Sequence, residues 1–258
     1  MRFVLIHGGF HGEWCWDRLV PVLGDLGHEA IAIDLPGHGS RKNERSTLAD
    51  RRDAIVEVLL PGDILVGHSG GGFDITMAAD AAPDLVNHMV YLAAGLPIEG
   101  KTVLDATGGA TSKGEDGSVQ VLRLKSDETG MSNIVRRTEN GRMECFDYEG
   151  ARDYFYHDCD DQTARWAFSK LTPAPVKFLV ETVSIPKFWA ANIPRSYILC
   201  LQDRAKSREA SEAVINRLGV DALTIDTSHS PFLSKPRELA ELLEYALTTS
   251  PKRALSPT

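Results

Sequence analysis

Gly62-Asp63-Ile64-Leu65-Val66-Gly67-His68-Ser69-Gly70-Gly71-Gly72 is the stretch on which the reading turns. An apolar run, Ile64 to Val66, leads straight into Gly67-His68-Ser69-Gly70-Gly71. That pentapeptide has the G-x-S-x-G form of a nucleophile elbow, a sharp strand-to-helix turn that presents a serine hydroxyl. Such a turn strains the serine backbone, and a Cβ two residues before or after it would clash as the chain folds back. Gly67 and Gly71 stand at those two places. In a chain with 22 glycines the same five letters also arise as a Gly-rich turn with a surface serine, so the surroundings decide.

Outward from the elbow, apolar strands alternate with helices. The apolar run after Arg2, ending at Ile6, predicts a buried strand. Trp16, Leu19, Val20 and Leu23 recur at helical spacing within 14–26. Glu29 to Asp34 predicts a second strand, and Ser46 or Thr47 a cap for a helix through Leu60. The elbow strand, Asp63 to Val66, is followed by a helix over 70–82 and a fourth strand over 86–93. Strands buried on both faces and separated by helices imply a parallel sheet with right-handed crossovers. The rhythm breaks at 98 and resumes with a strand over 196–201, a helix over 207–218, a strand over 222–225 and a helix over 236–247. The expected division is therefore a core of 1–97 and 195–250, an inserted cap of 98–194, and a flexible tail of 251–258.

A chain of 258 residues, 43% hydrophobic, suffices for one medium α/β domain with an insertion. The net charge of -8 is spread along the chain, which argues against nucleic acid or anionic membrane as partner. Four scattered cysteines show no C-x-x-C pair and predict reduced, buried thiols rather than disulfides or a zinc site. The run Phe3 to Ile6 is too short for a signal-peptide core, and no stretch reaches membrane length. A cytoplasmic protein is expected, with a homodimer left open.

A serine hydroxyl needs a base to take its proton and a third group to orient that base. Reactive loops collect at the carboxyl ends of parallel strands, in the order serine, acid, histidine. Asp203 follows the strand 197–201 and His229 follows the strand 222–225, so Ser69, Asp203 and His229 form the expected triad. Asp226 is the rival acid, and His68 beside the nucleophile is expected to pack rather than react. An oxyanion needs preorganised N–H donors. Gly70 supplies one, and Gly9 in His7-Gly8-Gly9-Phe10-His11-Gly12 the other.

These stretches carry a resemblance. His7-Gly8-Gly9-Phe10-His11-Gly12-Glu13-Trp14-Cys15-Trp16 resembles the H-G-x-x-H-G-x-W-x-W signature of the esterase and hydroxynitrile lyase branch of the α/β-hydrolase superfamily. Asp34-Leu35-Pro36-Gly37-His38-Gly39, the elbow, the stretch from Tyr154 to Pro173 and Ser228-His229-Ser230-Pro231-Phe232 are similar to further segments of that branch. The resemblance implies an α/β-hydrolase fold: a mostly parallel central sheet flanked by helices, with a helical cap insertion. It also implies carboxylesterase chemistry. The lyases of the branch carry threonine at the place of Gly8 and lysine after the catalytic histidine; here that residue is Ser230.

The expected substrate is a small-molecule ester, apolar or aromatic, with no metal or organic cofactor required. Phe10, Phe155 and Trp166 are the expected pocket residues, and the weakly patterned 105–135 stretch the expected gate. Two other classes of function compete. One is a different reaction on the same scaffold, such as carbon–carbon hydrolysis, lyase chemistry or cofactor-free oxygenation with His229 as base. The other is a non-catalytic ligand receptor.

Overall fold

The computed structural model describes residues 1–113, 119–123 and 133–257. Its centre is a sheet of six strands: β1 (Arg2–Ile6), β2 (Glu29–Ile33), β3 (Asp63–His68), β4 (Val86–Leu92), and, beyond the cap strands, β9 (Arg195–Cys200) and β10 (Ala222–Ile225). The spatial order is β10-β9-β4-β3-β1-β2, and every neighbouring pair is parallel. All six carboxyl ends therefore open on one rim.

The two-residue period of a strand divides the apolar side chains between two cores. Phe3, Leu5, Ile64, Val66, Val90, Leu92 and Ile198 enter one cluster, with Leu19, Leu23, Leu239 and Leu243 from the helices Leu19–Asp25 and Pro236–Ala246. Val4, Ile6, Leu65, Met89, Tyr91, Tyr197 and Leu199 enter the other, with side chains from the helices Leu48–Val56, Gly71–Ala81 and Arg208–Leu218. Each fully buried Leu or Ile contributes roughly 1.5–3 kcal/mol. Thr47 caps its helix by the reciprocal bonds of a capping box with Asp50. The first expected helix is split: a 3-10 turn over Glu13–Trp16 precedes the helix proper, Leu19–Asp25.

The insertion carries helices where the helical signal was read after Asp147, and strand pairs besides. It contains two antiparallel hairpins, β5 (Ala110–Lys113) with β6 (Val119–Arg123), and β7 (Val135–Arg137) with β8 (Met143–Cys145), besides the helices Tyr148–Phe155 and Asp161–Lys170. The β7–β8 turn closes through Thr138 and Arg142, with Gly141 at φ 77. Its last part, Val183, Ile185 and Phe188, packs into the second core cluster. The stretch 105–135, expected to gate access, falls in part outside the described residues. In the tail, read as flexible from the sequence, the backbone N–H groups of Lys252 and Arg253 donate to the Gly219 carbonyl and that of Ser256 to the Arg217 carbonyl. The buried guanidinium of Arg195 reaches the Arg253 carbonyl, which ties the tail to β9. Among the described residues no helix is long and apolar enough to cross a membrane.

Candidate active site

Ser69 follows β3 directly and has φ 53, in the left-handed region that side chains avoid. Its neighbours hold it there. The Ser69 N–H donates to Leu92 O at 3.1 Å, and its carbonyl accepts from Gly72 and Gly95 at 3.2 and 3.0 Å. A Cβ on Gly67 would lie 2.7 Å from Gly71 O, and one on Gly71 would lie 2.7 Å from Ile6 O. The glycines two before and two after the serine are thus required by backbone crossing backbone.

Asp203 and His229 leave the same rim, after β9 and β10. His229 Nδ1 lies 2.7 Å from Asp203 Oδ2, and both side chains are buried. The second oxygen, Oδ1, accepts from the N–H groups of Ala205 and Lys206 at 2.8 and 2.9 Å. A carboxylate so held cannot rotate away from the imidazole. Asp226, the rival acid, is exposed and accepts from Gln202 at 2.8 Å.

His68 joins the elbow to the histidine loop. Its Nε2–H donates to the backbone carbonyl of His229 at 2.9 Å, and the two rings are 4.5 Å apart. Burial holds its pKa well below the ordinary 6.5, so it stays neutral. The expectation that it packs rather than reacts agrees with a buried ring whose Nδ1 has no hydrogen-bond partner among the described residues.

Gly9 is exposed and Phe10, at φ 65, is partly buried; together they form the outer lip of the loop after β1. Gly9 N lies 3.8 Å from the position a Cβ on Gly70 would occupy, so the two expected oxyanion donors are neighbours. Neither N–H donates to an acceptor among the described residues.

Of the expected pocket residues, Phe155 is buried with its ring 5.9 Å from that of His229. Trp166 reaches the loop after β1 through Trp14, which stacks on His11. It packs edge-on against Trp14 at 5.3 Å and lines a surface depression with Asp17, Arg18 and Asp160. The other cap aromatics mostly pack among themselves or against the core: Phe168 on Tyr148, Phe188 on Trp189, and Phe178 on Arg51.

Sequence reasoning placed Tyr156 among the aromatic residues of the insertion and gave it no role of its own. It is fully buried, and its hydroxyl lies 2.7 Å from His11 Nε2. Nothing in the periodicity of the cap marks it, because the contact spans 145 residues of chain. The cap also meets the histidine loop directly: Ser228 donates from Oγ to Phe155 O at 3.0 Å and from N to Asp158 Oδ2 at 2.9 Å.

Residues 3–242 match the model of the alpha/beta hydrolase family. The chain is 32% identical to methylesterase 18 of Arabidopsis thaliana over 263 residues, covering 97% of this chain and 98% of the relative. It is 29% identical to norfluorocurarine synthase 1 of Strychnos nux-vomica over 260 residues, 94% of each chain. Among solved structures, an extracellular α/β-hydrolase of a Paenibacillus species superposes with a TM-score of 0.75 at 25% identity, over 95% of this chain and 98% of that one. That structure is described as sharing homology with tobacco salicylic acid binding protein 2. A family match across nearly the whole chain, joined to the parallel sheet and its elbow, assigns the protein: it belongs to the alpha/beta hydrolase family, in its esterase-like branch.

Proposed function

We propose that this protein hydrolyses a carboxylic ester of a small, apolar or aromatic substrate through an acyl-enzyme on Ser69. The observation that carries the reading is the buried His229–Asp203 pair, 2.7 Å apart, on the rim where the strained Ser69 stands. Relatives named methylesterases support ester bonds as the target. Ser230, buried directly after His229, offers no cation there to stabilise a departing cyanide, which favours hydrolysis over lyase chemistry.

His229 Nε2 takes the Ser69 proton as Oγ attacks the ester carbonyl carbon. Asp203 keeps the other ring proton on Nδ1 and stabilises the imidazolium that forms. The N–H groups of Gly9 and Gly70 receive the oxyanion, each donor worth about 10²–10³ in rate. His229 then protonates the leaving alkoxide, which departs as the alcohol. Water, deprotonated by the same imidazole, attacks the acyl-enzyme and releases the acid. Phe10 and Phe155 flank the acyl position with apolar surface. Four free, buried cysteines support a reducing, cytoplasmic compartment.

The test is turnover of p-nitrophenyl acetate by the wild type and by Ser69→Ala, followed by a panel of esters graded in acyl and alcohol size. The wild type is expected to show an acyl-enzyme burst, and Ser69→Ala to fold normally and lose turnover by at least 10³-fold. Full activity in Ser69→Ala would falsify the assignment.

A further inference from the structure

The expected oxyanion donor Gly9 sits on an exposed lip, has no Cβ, and its N–H donates to no backbone acceptor among the described residues. A glycine so placed is the most mobile choice for a group that must be preorganised. Two histidines resolve this difficulty. His7 Nδ1 lies 2.8 Å from Gly8 O, and His11 Nδ1 lies 2.8 Å from Gly9 O. We propose that His7 and His11 are positioning residues that clamp the peptide planes on both sides of Gly9, so that its N–H stands ready for the oxyanion before substrate arrives. The proposal rests on the reading of Gly9 as an oxyanion donor.

The proton positions follow from the partners. The Leu35 N–H can only donate, and it does so to His7 Nε2 at 3.1 Å. His7 must therefore carry its proton on Nδ1 and give it to Gly8 O. In a planar trans peptide the carbonyl and the following N–H point in opposite directions. Fixing Gly8 O toward the His7 ring thus turns the Gly9 N–H away from it. The His7 ring is fully buried and lies against His38, 4.9 Å between centroids, so the opposite direction is outward. The space beside this residue is open, since a Cβ on Gly9 would meet no atom within 4 Å.

His11 repeats the device one peptide later. Its Nδ1–H goes to Gly9 O, so its Nε2 is an acceptor and the Tyr156 hydroxyl is the donor to it. Trp14 stacks on the His11 ring at 5.3 Å and holds its plane. Burial keeps both imidazoles neutral at working pH, with His7 lowered to about 4 and His11 to about 3, so neither clamp is lost to a second proton. The chain Tyr156 to His11 to Gly9 also links the docked cap to the donor loop.

The experiment compares His7→Leu, His7→Asn and His7→Gln with wild type on p-nitrophenyl acetate, reading kcat and KM separately and the inhibition constant of an alkyl trifluoromethyl ketone. Asn places an N–H near where Nδ1 stands; Gln preserves an acceptor for Leu35 but reaches past Gly8 O. His7→Leu and His7→Gln are expected to lose about 10–10²-fold in kcat with KM within threefold, and to weaken the ketone by the same factor. His7→Asn should recover at least tenfold over Gln. Where Leu fails to fold, the Asn–Gln pair decides. Equal kcat in Asn and Gln, or a loss confined to KM or to thermal stability, overturns the clamp. Ser69→Ala run alongside separates the two failures. If it remains active the esterase reading falls, whereas if it is inactive and His7→Gln matches wild type only the clamp does.

Discussion

His229 and Asp203 meet at 2.7 Å although 26 residues separate them, because β9 and β10 are adjacent parallel strands whose ends deliver both side chains to one place. The bond is buried on both sides, and the remaining carboxylate oxygen is saturated by the N–H groups of Ala205 and Lys206. Asp203→Asn keeps the size but removes the charge and offers the ring an N–H in place of an acceptor. The expected fall in kcat on p-nitrophenyl acetate is on the order of 10³–10⁴. Asp226→Asn, at an exposed position bonded to Gln202, is expected to stay within twofold of wild type. The opposite ranking of the two variants would reassign the acid.

The two glycines of the donor loop differ in what surrounds them. A Cβ on Gly8 would fall 2.8 Å from Ser69 Cβ and 3.1 Å from His68 Nδ1, neither of which is a free chain end. A Cβ on Gly9 would meet nothing within 4 Å. Gly8→Ala is therefore expected to lower kcat at least tenfold by displacing Ser69, while Gly9→Ala keeps the wild-type melting temperature and turnover within about fivefold. Steady-state kinetics on one ester checks both.

Arg51 and Asp74 form a bidentate pair at 2.7 Å for each bond, with both side chains all but fully buried and the Arg51 guanidinium stacked on the ring of Phe178. Arg51→Met leaves a carboxylate buried without its partner and is expected to cost about 3–5 kcal/mol in urea unfolding. The double change Arg51→Met with Asp74→Leu removes both charges and is expected to recover most of that loss. A double variant no more stable than the single one contradicts this account.

Acid should destabilise the fold before carboxylates matter. His7 and His88 are lowered from 6.5 to about 4, and His11 to about 3, in each case chiefly because burial disfavours the charged ring. Unfolded chains bind protons at these sites below about 6.5, whereas the folded protein does not until near 4 or 3. Their stability contribution is therefore complete above 6.5 and is lost as pH falls toward 4, at about 1.4 kcal/mol per pKa unit for each group. Melting temperature measured from pH 8 to 4.5 should be level at the top and fall steadily below 6.5. A flat profile across that range contradicts neutral burial.

The alternation of strands and helices, the elbow, and the places of Asp203 and His229 after late strands were legible along the chain. They depend on local periodicity, on glycine sterics and on the rule that parallel strands share one rim. The cap was less legible. Its strand pairs carry weak period-two patterns, and nothing local marked the packing of Trp166 on Trp14 beside the depression lined by Arg18 and Asp160. The tail, polar and proline-containing, showed no sign of the carbonyl partners at Gly219 and Arg217 that hold it.

The amino-acid order by itself determined the sheet, the strained serine and the candidates for base and acid, since each follows from residues within a few positions of one another. Only the tertiary structure decided which acid faces His229, where the proton sits on His7 and His11, and that Tyr156 of the cap reaches the loop after β1. Those outcomes depend on hydrogen-bond direction between groups as much as 145 residues apart, and such distances and directions are set by packing rather than by sequence spacing.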